Sequence, residues 1–215
     1  MFVSNGRGTP IGSSRLFILG GNSMTILDKL FNLNLDLENL MLDMQQHVSE
    51  YNYVCLPVNA LPFASMGVDG VHYCIVPKNE DETLENSPVY RISPTDFSEG
   101  TVMWTAKNVN EFFSITITLK NAWALPILVH ECSRSKDDFM EYLKDIEFEH
   151  KRKTHRERVD IEKELRLLKQ EFHTTTISNV YSHIIGSYTD KNNHADIRFL
   201  DTGIKEMSLG HYAYG

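Results

Sequence analysis

Three side chains stand close enough along the chain to suggest chemistry: Asp69, His72 and Cys74. In an extended strand, side chains two apart share a face, so His72 and Cys74 would lie side by side. A thiol beside an imidazole is the outline of a nucleophilic pair, the ring drawing off the thiol proton. A working pair also needs a third group that orients the base. Asp69 is equally well explained as a turn residue, because it sits between Val68 and Gly70 in Gly67-Val68-Asp69-Gly70. Two neighbours on one strand face are ordinary sheet packing. An enzyme using Cys74 and His72 is therefore the weaker reading of these residues.

Metal and nucleic-acid chemistry find less support. The nine histidines are scattered, and His150 and His155 stand five apart among lysines and arginines that would repel a cation. There is no HExxH and no Cys/His cluster, so no metal site and no cofactor are expected. Lys151-Arg152-Lys153 with Arg156 and Arg158 has the sign of a nucleic-acid patch, but acidic residues interleave from Glu157 onward. A solvated helix face accounts for it, and no aromatic interleaving offers bases a stacking platform. The opposite charge is more concentrated. Between Asn79 and Asn86 lie Glu80, Asp81, Glu82 and Glu85 with no basic residue. Such a loop could steer a basic partner, or simply keep a hairpin tip in water.

The whole chain carries the same sign, with a formal net charge of -8 over 215 residues, against the basic footprint of a general nucleic-acid binder. An apolar fraction of 41% is enough for a packed core. Cys55, Cys74 and Cys132 form an odd set without CxxC spacing, which fits a reducing compartment better than a disulfide framework. The apolar run Leu16–Leu19 is shorter than the core of a secretory signal, and no stretch reaches membrane-spanning length. These features predict a soluble cytoplasmic protein with no membrane association. Residues 1–23 read as a flexible or weakly ordered lead-in, and residues 24–215 as a single domain.

The elements that must position these groups follow from periodicity. Ile26–Phe31 has the character of a helical turn or two. Asp36 is suited to cap a helix whose face is Leu37, Leu40, Met41, Met44, Val48 and Tyr51. Pro57 and Pro62 predict a connection packed on a sheet. Val71–Val76, Val89–Ile92 and Thr101–Ala106 read as strands, with residues 79–86 joining the first two. Residues 113–119 alternate as a strand would, yet Asn108 followed by Glu111 resembles a capping box; the cap decides for a helix. Ser135 suits a cap for a helix faced by Phe139, Tyr142, Leu143 and Ile146. Residues 149–172 read as one charged helix with the stripe Ile161, Leu165, Leu168 and Phe172. A further helix is predicted through Ile177, Val180, Tyr181 and Ile184 to Gly186, then a strand at Asp196–Leu200.

The order Gly67-Val68-Asp69-Gly70-Val71-His72-Tyr73, Ser87-Pro88-Val89-Tyr90, Pro94-Thr95-Asp96-Phe97 and Ala106-Lys107-Asn108-Val109-Asn110-Glu111-Phe112-Phe113 resembles the SUKH superfamily. These are bacterial toxin-immunity proteins related to a yeast cell-wall synthesis regulator. The resemblance covers about a quarter of the chain in specific residues. It implies an α+β fold: a mostly antiparallel sheet of four to six strands flanked by helices, here with a helical C-terminal extension over about 149–190. It also implies binding rather than catalysis, with a cognate toxin, often a nuclease, neutralised by direct contact. Asp69, Glu80, Asp81, Glu82 and Glu85 are then the candidate partner-binding residues. The alternatives are a regulatory or scaffold protein of the same fold, and the enzyme using Cys74 and His72.

Overall fold

The computed structural model describes residues 25–33, 35–44, 57–66, 70–93, 102–132 and 135–198. Helix α1 (Ile26–Asn32) leads into six strands: β1 (Asp36–Leu37), β2 (Leu42–Asp43), β3 (Leu61–Ser65), β4 (His72–Ile75), β5 (Val89–Ile92) and β6 (Val102–Ala106). They form one antiparallel sheet in the order β1-β2-β3-β4-β5-β6, each strand pairing with its chain neighbour. Five helices follow: α2 (Val109–Leu119), α3 (Ala124–Cys132), α4 (Lys136–Arg152), α5 (His155–Phe172) and α6 (Val180–Thr189). This is the expected α+β architecture, an antiparallel sheet with a helical C-terminal part.

Register sets the two faces of the sheet. Cys74 lies opposite Tyr90, and Tyr90 opposite Trp104, while Tyr73 lies opposite Arg91. Side chains alternate along a strand, so Tyr73 projects from the face opposite to Cys74, Tyr90 and Trp104. Tyr73 meets Phe112 of α2 at 4.7 Å between ring centroids, and Phe112 also meets Phe63 and Phe113. The Tyr73 hydroxyl donates to the Ala122 carbonyl at 2.8 Å, and burial pushes its pKa far up. On the other face Trp104 meets Tyr188 of α6 and His194 beyond it. With both faces covered, every residue from Val71 to Val76 is buried, the signature of a central strand.

The ambiguous segment is a helix. Asn108 Oδ1 accepts from the Glu111 N–H at 2.9 Å, starting α2. Two hydroxyls of its Ser and Thr alternation serve helical carbonyls: Ser114 donates to Asn110 and Thr118 to Ser114. Lys120, at φ 57°, turns left-handed and ends the helix. Apolar residues surround this helix, so a period of two and a period of 3.6 both fit its sequence. The expected reciprocal box is incomplete, because Glu111 Oε2 accepts from Lys107 N–H rather than from Asn108.

Four expectations are corrected. The helix from Asp36 is instead a tight hairpin in which a 3-10 turn (Glu38–Leu40) joins β1 and β2. Met41 closes that turn at φ 62°, and residues 45–51 of the expected helix lie outside the described set. Helix α1 does form, closed by a Thr25–Asp28 capping box. The connection around Pro62 contains strand β3, with a bulge between Pro62 and Ala64 that accommodates the missing N–H. The charged segment 149–172 is broken at Lys153–Thr154. There Thr154 and Glu157 make a full capping box that satisfies the first donors of α5. Finally, of the strand expected at Asp196–Leu200 the described part, 196–198, is not a strand, and residues 199–200 lie outside the described set; α6 ends at Thr189. Helix α3 was not anticipated at all. Asn121 Oδ1 accepts from Trp123 and Ala124 N–H groups at its start, and Pro126 falls in its first turn, where a missing N–H costs nothing.

Candidate functional site

The acidic residues 80–85 occupy the loop between β4 and β5, and that loop is built rather than slack. Val76 N–H donates to the Pro88 carbonyl across its base at 2.9 Å. Leu84 is buried and anchors the tip to the core. Glu82 turns inward. Its Oε2 accepts from Lys78 N–H at 2.7 Å and lies 3.2 Å from the Ser87 hydroxyl, and its Oε1 pairs with Lys78 Nζ at 2.7 Å. Asn79 Oδ1 accepts from Asp81 N–H, and Asn86 donates to the Thr83 hydroxyl. The turn chemistry of Asx residues thus shapes the backbone from within. Glu80, Asp81 and Glu85 remain exposed. Three carboxylates are displayed on a fixed frame, and the fourth fastens that frame. Asp69 lies outside the described residues.

His72 and Cys74 are placed on the same sheet face, as alternation requires, but both are sealed in. Cys74 is 0% exposed and His72 2%. The His72 Nδ1 lies 2.7 Å from the Gly70 carbonyl, which makes Nδ1 the protonated nitrogen of a neutral ring. Burial holds its pKa below the ordinary histidine value, partly offset by that hydrogen bond. A thiol without solvent contact has no approach for a substrate. In the folded chain, mass-mapped labelling with a small maleimide should leave Cys74 unmodified over hours, and reaction should require denaturant. Labelling within minutes would restore the nucleophile reading.

A constellation that sequence reasoning missed joins α2 to α6. Glu111, buried at 5% exposure, places Oε1 2.6 Å from the Ser187 hydroxyl and 2.7 Å from His183 Nε2. Serine, histidine and carboxylate are the members of a hydrolytic triad, but the connectivity differs. Both serine and histidine converge on one carboxylate oxygen, so the hydroxyl proton points to Glu111 and not to an imidazole base. Ser187 is buried as well. The cluster clasps α6 to the start of α2. His183 and Ser187 are one helical turn apart and legible as such; their partner, 76 residues earlier, is not.

The charged tip between α4 and α5 is occupied by its own neighbours. Lys120 Nζ pairs with Glu162 at 2.8 Å and lies 3.5 Å from His150 Nε2; Arg158 donates to the Lys151 carbonyl at 3.1 Å. Burial and then the adjacent Lys120 and Lys153 cations depress the His150 pKa, partly offset by Glu162. Among the described residues no three His, Cys, Asp or Glu side chains gather as a metal site. Among them, too, no helix is long and apolar enough to cross a membrane. An open groove of about 440 Å³ along β1 and β2 is lined by Leu35, Leu37, Met41, Leu42, Met44 and Met66, with Glu38 and Asp43 beside them.

Comparison with family models, with curated proteins and with solved structures found no match for this chain. The functional reading therefore rests on these side chains and on the motif resemblance.

Proposed function

We propose that this chain works by stoichiometric binding to a protein partner, without an active site. In this reading it is an immunity-type protein of the cytoplasm that neutralises a basic toxin, nuclease toxins included. The observation that carries it is the loop between β4 and β5, where Glu80, Asp81 and Glu85 face solvent while Glu82, Lys78 and Ser87 hold the backbone in place. A fixed acidic surface needs little ordering on contact, so more of its electrostatic attraction reaches the encounter. The net charge of -8 adds long-range steering of the same sign. The order of the Gly67-Val68-Asp69-Gly70, Pro88-Val89 and Asn108-Val109-Asn110-Glu111-Phe112 motifs, similar to that of SUKH proteins, supports the same reading.

The test is co-expression with toxins encoded beside the gene, followed by binding kinetics with any that is neutralised. In the triple variant Glu80→Lys, Asp81→Lys, Glu85→Lys, association should slow by about 10- to 100-fold at low salt, with the gap closing as salt rises. Folding should be little changed, since none of the three side chains is buried. Binding to none of the toxins, or an association rate indifferent to the three reversals, would overturn the proposal.

A further inference from the structure

Helix α4 is held along one side only. Phe139, Tyr142 and Ile146 turn inward onto the core beside α3 and α6, with Phe139 5.2 Å from Tyr181 between ring centroids. The other side faces outward along its whole length. Asp137, Glu141, Lys144, Phe148 and Lys151 follow at steps of four, three, four and three, the spacing of one helical stripe, and each is exposed. Among the described residues the side chains of Asp137, Glu141, Lys144 and Lys151 make no ion pair. Arg152, beside the end of the stripe, lies 5.7 Å over the Phe148 ring and 3.4 Å from Glu149.

Acidic residues open this stripe and basic ones close it. The helix dipole accounts for charge at the two ends, but not for a phenylalanine in the outward face. At 57%, Phe148 is the most exposed large apolar side chain among the described residues. A partner of one sign fits poorly: a polyanion meets Asp137 and Glu141, and a polycation meets Lys144, Lys151 and Arg152. What complements such a stripe is the same stripe reversed end to end.

We propose that this face of α4 is a self-association surface, on which a second copy of the chain packs antiparallel about a two-fold axis. The axis makes the contact isologous, so each pairing occurs twice. Glu141 of each copy meets Lys151 of the other, and Asp137 lies by the other's basic last turn. Phe148 settles on the apolar stem of the other's Lys144. Two chains of net charge -8 repel each other at a distance. A Debye length of about 8 Å at physiological salt screens that repulsion and leaves pairs in contact effective. One helix on one helix covers less than the roughly 1,200 Å² of a standard interface, so the dimer is weak, with Kd about 10–100 µM. The surface is separate from the acidic loop, and its test needs no toxin.

Sedimentation equilibrium of the full chain at physiological salt, from about 5 to about 500 µM, reads the association as a rise in mass from monomer to dimer. Phe148→Ser should raise Kd at least about tenfold. Glu141→Lys and Lys151→Glu should each do the same, by about tenfold, because like charges then meet twice across the axis. Glu141→Lys also lowers the net negative charge, which would favour association if overall charge governed it. The double variant Glu141→Lys with Lys151→Glu rebuilds the pair in reverse and should return to within about threefold of the unmodified chain. Circular dichroism should show native helix content in all four, since these side chains are exposed. A chain still monomeric at about 500 µM sinks the proposal. So does a dimer indifferent to Phe148→Ser, or a double variant as weak as the single ones.

Discussion

Glu164→Ala is expected to lower the free energy of unfolding by about 3 kcal/mol, among the larger single effects available in this chain. Glu164 belongs to α5, is 4% exposed, and reaches across to the hairpin of β1 and β2. Its Oε1 accepts from the Asn39 side chain at 2.6 Å and from Asn39 N–H at 3.3 Å; its Oε2 accepts from Leu40 N–H at 3.1 Å. A carboxylate receiving several N–H groups is well compensated for burial. Deleting it leaves those donors in a closed site with no acceptor, and an orphaned buried donor costs more than an average hydrogen bond contributes. Glu164→Gln keeps an acceptor but loses the charge, and should cost about half as much. Urea denaturation measures both, and hydrogen exchange at residues 39–42 shows whether the loss is local. A change below about 1 kcal/mol for the alanine variant would mean that water serves the turn equally well.

Phe112→Ala is the second large expectation, at about 4 kcal/mol. Phe112 is 0% exposed and lies 5.6 Å from Phe63 and 4.7 Å from Tyr73, ring to ring. It joins α2 to the sheet at the point where three aromatic side chains interlock, so truncation removes both buried area and edge contacts between rings. The surrounding rings are held by β3, β4 and the Tyr73 bond to Ala122, which limits collapse into the space left behind. Phe112→Leu retains most of the volume and should cost about 1.5 kcal/mol. Thermal unfolding followed by circular dichroism should show the alanine variant melting roughly 10 °C lower. Equal losses for leucine and alanine would show that ring contacts, and not volume, carry the site.

Legibility in the sequence tracked the range of the interactions involved. The strand 71–76, the cap at Asn108 and the cap at Ser135 are decided within a few residues, and they were read correctly. The hairpin at Asp36–Asp43 was not. Its leucine spacing is helical, and what overrides it is a carboxylate at position 164, a contact with no local trace. The break at Thr154 did leave a trace in Thr154 and Glu157, but the dense run of charged residues through 149–172 argued for one helix. Pro62 suggested a connection because the bulge that tolerates it is visible only once β4 is alongside. In the candidate surface, charge alone marked out residues 80–85. Which carboxylates face outward depended on Lys78 and Ser87, and therefore on how the loop folds. The grouping of Glu111 with His183 and Ser187 escaped notice for the same reason as the contact of Glu164.

The strand order has a consequence for how this protein comes into being. Because each described strand pairs with the one made just before it, this sheet can assemble during translation in the sequence in which it leaves the ribosome, none of these six strands waiting for a distant mate. The covering of the Tyr90 and Trp104 face arrives last, in residues 180–198. A nascent chain stalled or cut before that point would present a finished sheet with an aromatic face uncovered, the kind of surface on which chaperones act.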